Sequence, residues 1–122
     1  KSRLRESILA LLQSTKIHPT AAWVYDELKK EFPKVSVASV YRNLNILVAE
    51  GAIKSISFEE PQDRFDANLS EHYHFICERC GAISDLDVPI NFSLNQMIEA
   101  STQHSVNRHR IDFYGICREC KK

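Results

Sequence analysis

The sequence predicts an α+β chain of two small domains: a three-helix unit with a two-stranded wing, then a small α/β unit. Two observations predict this. The chain changes character near residue 60, since the first half holds no cysteine while the second holds all four cysteines and four of the five histidines. Apolar residues up to Gly51 recur at helical spacing, and 53–58 and 63–67 then alternate. The division is placed at 1–62 and 63–122.

The first helix is expected over 3–14, where Leu4, Ile8, Leu11 and Leu12 form one stripe. "IHPT" breaks it, because Pro19 disfavours a helical conformation at His18. Thr20 can cap a second helix carrying Trp23, Val24, Leu28 and Phe32, and Pro33 ends it. Ser36 caps a third, with Val37, Val40, Tyr41, Leu44, Leu47 and Val48 along one face and Gly51 at its stop. "IKSISF" and "DRFDA" then alternate around "EEPQ", a hairpin pattern. Three helices and a hairpin is the order of a winged helix-turn-helix, and "SVASVYRNLNILVAEGAI" suits its recognition helix. Periodicity alone is common and is also met by merely packed amphipathic helices. The second half reads as strand 73–77, a knuckle at "CERCG", strand 82–86, a helix over 92–103, strand 110–116 and a second knuckle at "CREC". A dimerisation role is expected for this half.

Composition excludes some classes and leaves others. Hydrophobic content of 43% and charged content of 26% describe a globular protein. No run of 18 apolar residues offers a membrane span. The start "KSRLRESILALL" lacks a small-residue cleavage site, so the expected compartment is the cytoplasm. Formal net charge is zero; residues 1–60 hold nine Lys/Arg against seven Asp/Glu, and 61–122 the reverse. That weak asymmetry does not select a partner.

In a reducing compartment, four cysteines point to metal or redox chemistry rather than disulfides. Cys77 and Cys80 form one CxxC, Cys117 and Cys120 another. Each CxxC can present two thiolates, and two such turns complete a closed tetrahedron, so the expectation is structural Zn2+ with no catalytic role. A thioredoxin-like redox pair would sit at a strand-to-helix turn of a different fold.

"FDANLSEHYHFICERC" holds further donors. His72 and His74 flank Tyr73 and share a face if they begin a strand. Asp66 lies six residues upstream of His72, and Asp85 comes close to His74 if strands 73–77 and 82–86 pair. Such donors suit Fe2+, Mn2+ or Zn2+; singly, each is as readily a surface or hydrogen-bonding group. Pattern does not recruit the distant His18.

"HPTAAWVYDELKKEFPKVSVASVYRNLNILVAEGAI", "HYHFICERCG" and "YGICREC" together resemble the ferric uptake regulator family of bacterial metal-dependent repressors, over nearly the whole chain. The sequence is most similar to the family's peroxide-sensing members. Their regulatory ion is held by a His of "HPT", an Asp of "RFD", both His of "HxH" and an Asp after the first CxxC; the matching residues are His18, Asp66, His72, His74 and Asp85. Iron-sensing relatives typically place Glu where Asp85 stands, and often read "HHDH" where this chain reads "EHYH". Family members usually carry a longer leading segment than the "KSRLRES" before Ile8.

The resemblance implies a homodimer on an inverted-repeat DNA operator. The regulatory Fe2+ or Mn2+ would favour a DNA-binding conformer. Ser36, Ser39, Tyr41, Arg42 and Asn43 would face DNA, with Arg42 on a phosphate or guanine. Peroxide and Fe2+ would oxidise His18 or His72 to 2-oxo-histidine and release the operator. The alternative within the family is an iron- or zinc-responsive repressor. A hydrolase using the His/Asp donors would need a general base and a substrate cleft that the sequence does not supply. His104 and His109 are expected to pack or hydrogen-bond.

Overall fold

A computed structural model describes residues 2–122. The chain divides into two compact units, residues 1–69 and 70–122. The division falls seven residues beyond the 62/63 boundary expected from sequence. The reason is the hairpin: β1 (Lys54–Ile56) pairs antiparallel with β2 (Arg64–Asp66), and a cut at 62/63 would sever it.

The first unit contains α1 (Arg3–Gln13), α2 (Ala21–Leu28) and α3 (Val37–Ala49) before that hairpin. Each helix starts on a hydroxyl cap. Ser2, Thr20 and Ser36 accept from the N–H groups of Arg5, Trp23 and Ser39. Helix α2 is shorter than expected; a single further turn carries the chain on to Phe32, whose N–H donates to Leu28 O at 2.8 Å. Gly51, at φ +78°, follows α3 in the left-handed region that glycine adopts without a Cβ penalty. The core joins Ile8 and Leu12 of α1, Val24 and Leu28 of α2, Val40, Leu44 and Leu47 of α3, then Ile53 and Phe65. Phe65 seats the wing: its N–H donates to Pro19 O at 2.9 Å, while Thr20 and Arg64 form a bridge. The wing's inner strand is thus fixed beside the α1–α2 joint.

The second unit is a mixed three-stranded sheet. β3 (His74–Cys77) pairs antiparallel with β4 (Ile83–Asp85) and parallel with β5 (Asp112–Gly115), and α4 (Ser93–Thr102) forms the crossover. The second CxxC is not a knuckle. It is one helical turn, α5 (Arg118–Lys121), with Cys117 at its N-cap. The first CxxC is followed by Gly81 at φ +79°, a conformation that the Lys121 following Cys120 would adopt only with strain. Helix α4 buries none of its residues within the chain, and Phe92, Met97, Ile98, Phe113 and Tyr114 are exposed.

Candidate metal centres

The parallel pairing of β3 with β5 aligns Cys77 with Gly115, so both strands deliver their cysteines at the same end. There Cys77 Sγ lies 3.8 Å from Cys120 Sγ, and Cys80 Sγ lies 3.8 Å from Cys117 Sγ. A disulfide requires about 2.05 Å. Four sulfurs around one ion at a Zn–S bond of about 2.3 Å stand about 3.8 Å apart in a regular tetrahedron. The donor set therefore fits structural zinc. Backbone N–H groups of Cys80, Cys117 and Arg79 each approach Cys77 Sγ at 3.4 Å. The Cys80 and then the Cys117 N–H lead in pulling that thiol from 9.0 down to about 6, against its burial. Cys120 moves the other way, to about 12, first because it is held against the Cys117 side chain and then because burial disfavours its charge. Crowded thiolates need a cation, and a bound metal deprotonates coordinating thiols outright.

At the other end of the same sheet, His74 and Asp85 face each other across β3 and β4. Asp85 Oδ1 lies 2.8 Å from His72 Nε2 and 3.5 Å from His74 Nε2. The two imidazoles stand edge to face, centroids 4.6 Å apart. His74 is buried and His72 nearly so. Neighbouring ligands on one octahedral ion stand about 3 Å apart at bond lengths of about 2.1 Å. Two imidazoles and a carboxylate at these distances fit a first-row divalent ion.

In the first unit, His18 Nε2 lies 3.1 Å from Asp66 Oδ2, with the His18 side chain 1% exposed. The wing creates this pair. The Phe65–Pro19 and Thr20–Arg64 contacts set β2 against the joint, and Asp66 is the last residue of that strand. His18 adopts φ +55°, rare for a residue other than glycine. Arg64 Nη1 donates to His18 O at 3.2 Å, and Glu60 grips Arg64 at 2.7 and 3.2 Å. Strained backbone of this kind is held in place by its surroundings and clusters at functional sites.

Helix α3 has two faces. Val40, Asn43, Leu44 and Leu47 are buried; Val37, Ala38, Tyr41, Arg42 and Asn45 are exposed. Ser39 Oγ receives a bond from Arg42 Nη2 at 3.1 Å and one from Ser36 Oγ at 3.0 Å.

The model of the ferric uptake regulator family matches residues 1–114. The chain belongs to that family. It is 39% identical over 118 residues to the peroxide-responsive repressor PerR of Staphylococcus epidermidis, spanning 97% of this chain and 79% of the relative. Among solved structures, a ferric uptake regulator from Francisella tularensis with iron matches at TM-score 0.86 and 26% identity, over 100% of this chain and 94% of that one. The peroxide stress regulator of Campylobacter jejuni matches at TM-score 0.74 and 31% identity, over 96% and 88%. The protein is a PerR-like, metal-dependent transcriptional repressor of the ferric uptake regulator family, and not an enzyme. Regulators of this family bind DNA operators as dimers. No helix among the described residues is long and apolar enough to cross a membrane.

Against the sequence expectations, the four cysteines come together, His72 and His74 meet Asp85, and His18 meets Asp66. One of the residues expected at DNA faces inward. Asn43 is only 6% exposed, and its carboxamide is engaged, accepting from Arg5 Nε at 3.0 Å and donating to Ser39 O at 2.8 Å. It faces the core because it lies three residues after Val40 and four before Leu47. Asn45, which sequence reasoning passed over, shares the exposed face four residues after Tyr41. Asp112 was also missed; its Oδ1 lies 3.6 Å from His74 Nδ1. His109 hydrogen-bonds Tyr73 Oη at 2.7 Å and also Asn95, whereas the His104 side chain is exposed.

Proposed function

We propose that this repressor senses hydrogen peroxide. In this reading the four cysteines hold structural Zn2+, and one regulatory Fe2+ or Mn2+ takes His18 and Asp66 from the first unit and His72, His74 and Asp85 from the second. The carrying observation is Asp85, an aspartate and not a glutamate, within 2.8 and 3.5 Å of both imidazoles of the HYH segment. The kinship with PerR supports it.

An ion with ligands in both units binds more tightly where all are gathered, and so shifts the population towards that conformer. In a homodimer this sets the spacing of two α3 helices against the half-sites of an inverted repeat. The exposed apolar residues of α4 and β5 supply a surface for dimerisation. Ser36, Ser39, Tyr41 and Arg42 lie at the DNA end of α3, with Arg42 braced by Ser39 towards a phosphate or a guanine. The compartment is the cytoplasm.

Fe2+ held by these residues would donate the electron that splits the peroxide O–O bond, itself becoming Fe3+, whereas Mn2+ would not readily do so. His18 or His72 would take up the oxygen, as 2-oxo-histidine. Once oxidised, either ring ligates weakly, the link between units is lost, and the operator is released.

The test is operator binding with Fe2+ and with Mn2+, before and after modest peroxide, followed by peptide mass spectrometry. One added oxygen on the His18 or His72 peptide, with loss of binding for Fe2+ alone, is the expected result. A Cys77–Cys80 disulfide would replace this reading with a thiol switch. Unmodified peptides and undiminished binding would leave an iron- or zinc-responsive repressor.

A further inference from the structure

Asp112 lies outside the five-residue set, yet it stands beside one of its members. β3 and β5 are parallel, with His74 and Asp112 in register, and neighbouring strands lie about 4.8 Å apart. His74 Nδ1 is 3.6 Å from Asp112 Oδ1, while Nε2 is 3.5 Å from Asp85 Oδ1. The ring therefore has a carboxylate at each nitrogen, and its side chain is 5% exposed. Asp112 is itself fixed by a guanidinium fork. Arg110 Nε donates to Oδ1 at 3.2 Å and Nη2 to Oδ2 at 2.9 Å.

A neutral imidazole carries one N–H and one lone pair. At 3.6 Å the Asp112 contact is one between a charge and the ring dipole, too long for a hydrogen bond. Asp85 places a like charge at Nε2, but were Asp85 and Nε2 to share an ion, the metal would take up that charge and Asp112 would favour the proton on Nδ1. That choice leaves the Nε2 lone pair on the side where His72 Nε2 and Asp85 gather. In a buried ring with little room for solvent screening, a fixed charge on one nitrogen decides which nitrogen is free to ligate.

We propose that Asp112, held by Arg110, is a positioning residue for the regulatory ion: it fixes the tautomer and orientation of His74 and so sets the affinity of the divalent ion that His74 holds. This rests on the His/Asp reading given above. Carboxylates behind metal-bound imidazoles act in this way, and their loss costs about 10- to 100-fold in metal affinity. If Asp112 served only as a surface partner of Arg110, its replacement would leave metal affinity unchanged.

The experiment uses the zinc-loaded protein and titrates Mn2+, following the free ion by electron paramagnetic resonance. Asp112→Asn keeps the shape and removes the charge; Asp112→Ser is the second variant. Both should bind Mn2+ about 10- to 100-fold more weakly, with zinc content and the unfolding temperature of the manganese-free protein unchanged. With Co2+ as a paramagnetic probe, the wild type should show a shifted, slowly exchanging imidazole N–H proton that Asp112→Asn loses. Mn2+ affinities within twofold of wild type, or an unchanged N–H signal, would overturn the proposal. A wild-type protein that takes up zinc and no Mn2+ would remove the regulatory site, and this inference with it.

Discussion

Asn43→Ala separates a structural residue from a DNA-reading one. The wild-type carboxamide accepts from Arg5 Nε at 3.0 Å and donates to Ser39 O at 2.8 Å. The first bond ties α1 to α3 and involves a charged donor, a class contributing about 1.5–3 kcal/mol. The second bond contributes about 0.5–1.5 kcal/mol. Alanine recovers about 0.6 kcal/mol of helix propensity, and Ser39 O is left as an ordinary helix acceptor. The net loss is about 2 kcal/mol. With a urea dependence of about 1 kcal/mol per molar for a unit of this size, the midpoint should fall by about 2 M. Trp23 is the chain's one tryptophan and packs against the first unit's core, so its fluorescence follows that unit. Arg5→Ala should show most of the same loss, and the double variant should show coupling of about 1.5–3 kcal/mol, the share of the bond that both changes remove. Operator base preference should not change once unfolded protein is accounted for. A midpoint unchanged within about 0.3 M, together with altered base preference, would put Asn43 in the groove and refute the argument.

Arg42→Ala should do the reverse: weaken operator binding by about 1–3 kcal/mol if it reads a base, with the same urea midpoint, and a phosphate role would appear as a shallower salt dependence. Cys77→Ser should lose the zinc and unfold the second unit, because zinc binding and folding are coupled in such sites; metal analysis and circular dichroism report both. Gly81→Ala places a Cβ at φ +79°, where nothing crowds it but the backbone is strained, so it should cost about 1–2 kcal/mol and speed zinc loss to a chelator.

Much of this was legible in sequence because local rules and tertiary packing agreed. Thr20 and Ser36 were visible as caps, and Val40, Leu44 and Leu47 as a stripe. The short link between Cys77 and Ile83 forced β3 and β4 into a hairpin, which put Asp85 opposite His74. Asn43 was legible too: its spacing from Val40 and Leu47 places it inward, but its polarity suggested the groove. What sequence could not supply is the partner of β3 on its other side. Parallel pairing with β5 joins segments more than thirty residues apart, and no local pattern sets its register. Asp112 was invisible for that reason. The helical turn at Cys117–Cys120 was missed because CxxC spacing serves a knuckle and a helix start equally well; the missing glycine after Cys120 was the distinguishing mark.

That parallel register also links the two centres. Cys77 pairs with Gly115 at one end of β3, and His74 pairs with both Asp85 and Asp112 at the other. Three residues, about 10 Å of strand, separate the rows. A one-residue slip of β5 would turn Asp112 to the opposite face and take its charge from His74. Four-residue strands pair too weakly to resist such a slip alone. Thiolates from the ends of β3 and β5 held on one ion would prevent it, because the tetrahedron tolerates only one alignment of Cys77 and Cys80 with Cys117 and Cys120. The coupling is reciprocal in free energy, but zinc on four thiolates binds so tightly that only occupancy of the weaker manganese site should report it. Stripping zinc should abolish Mn2+ binding at the histidines, whereas His74→Ala should leave zinc content and the second unit's circular dichroism unchanged. If zinc-free protein still binds Mn2+ with undiminished affinity, the sheet holds its register without the cysteines and the centres are independent.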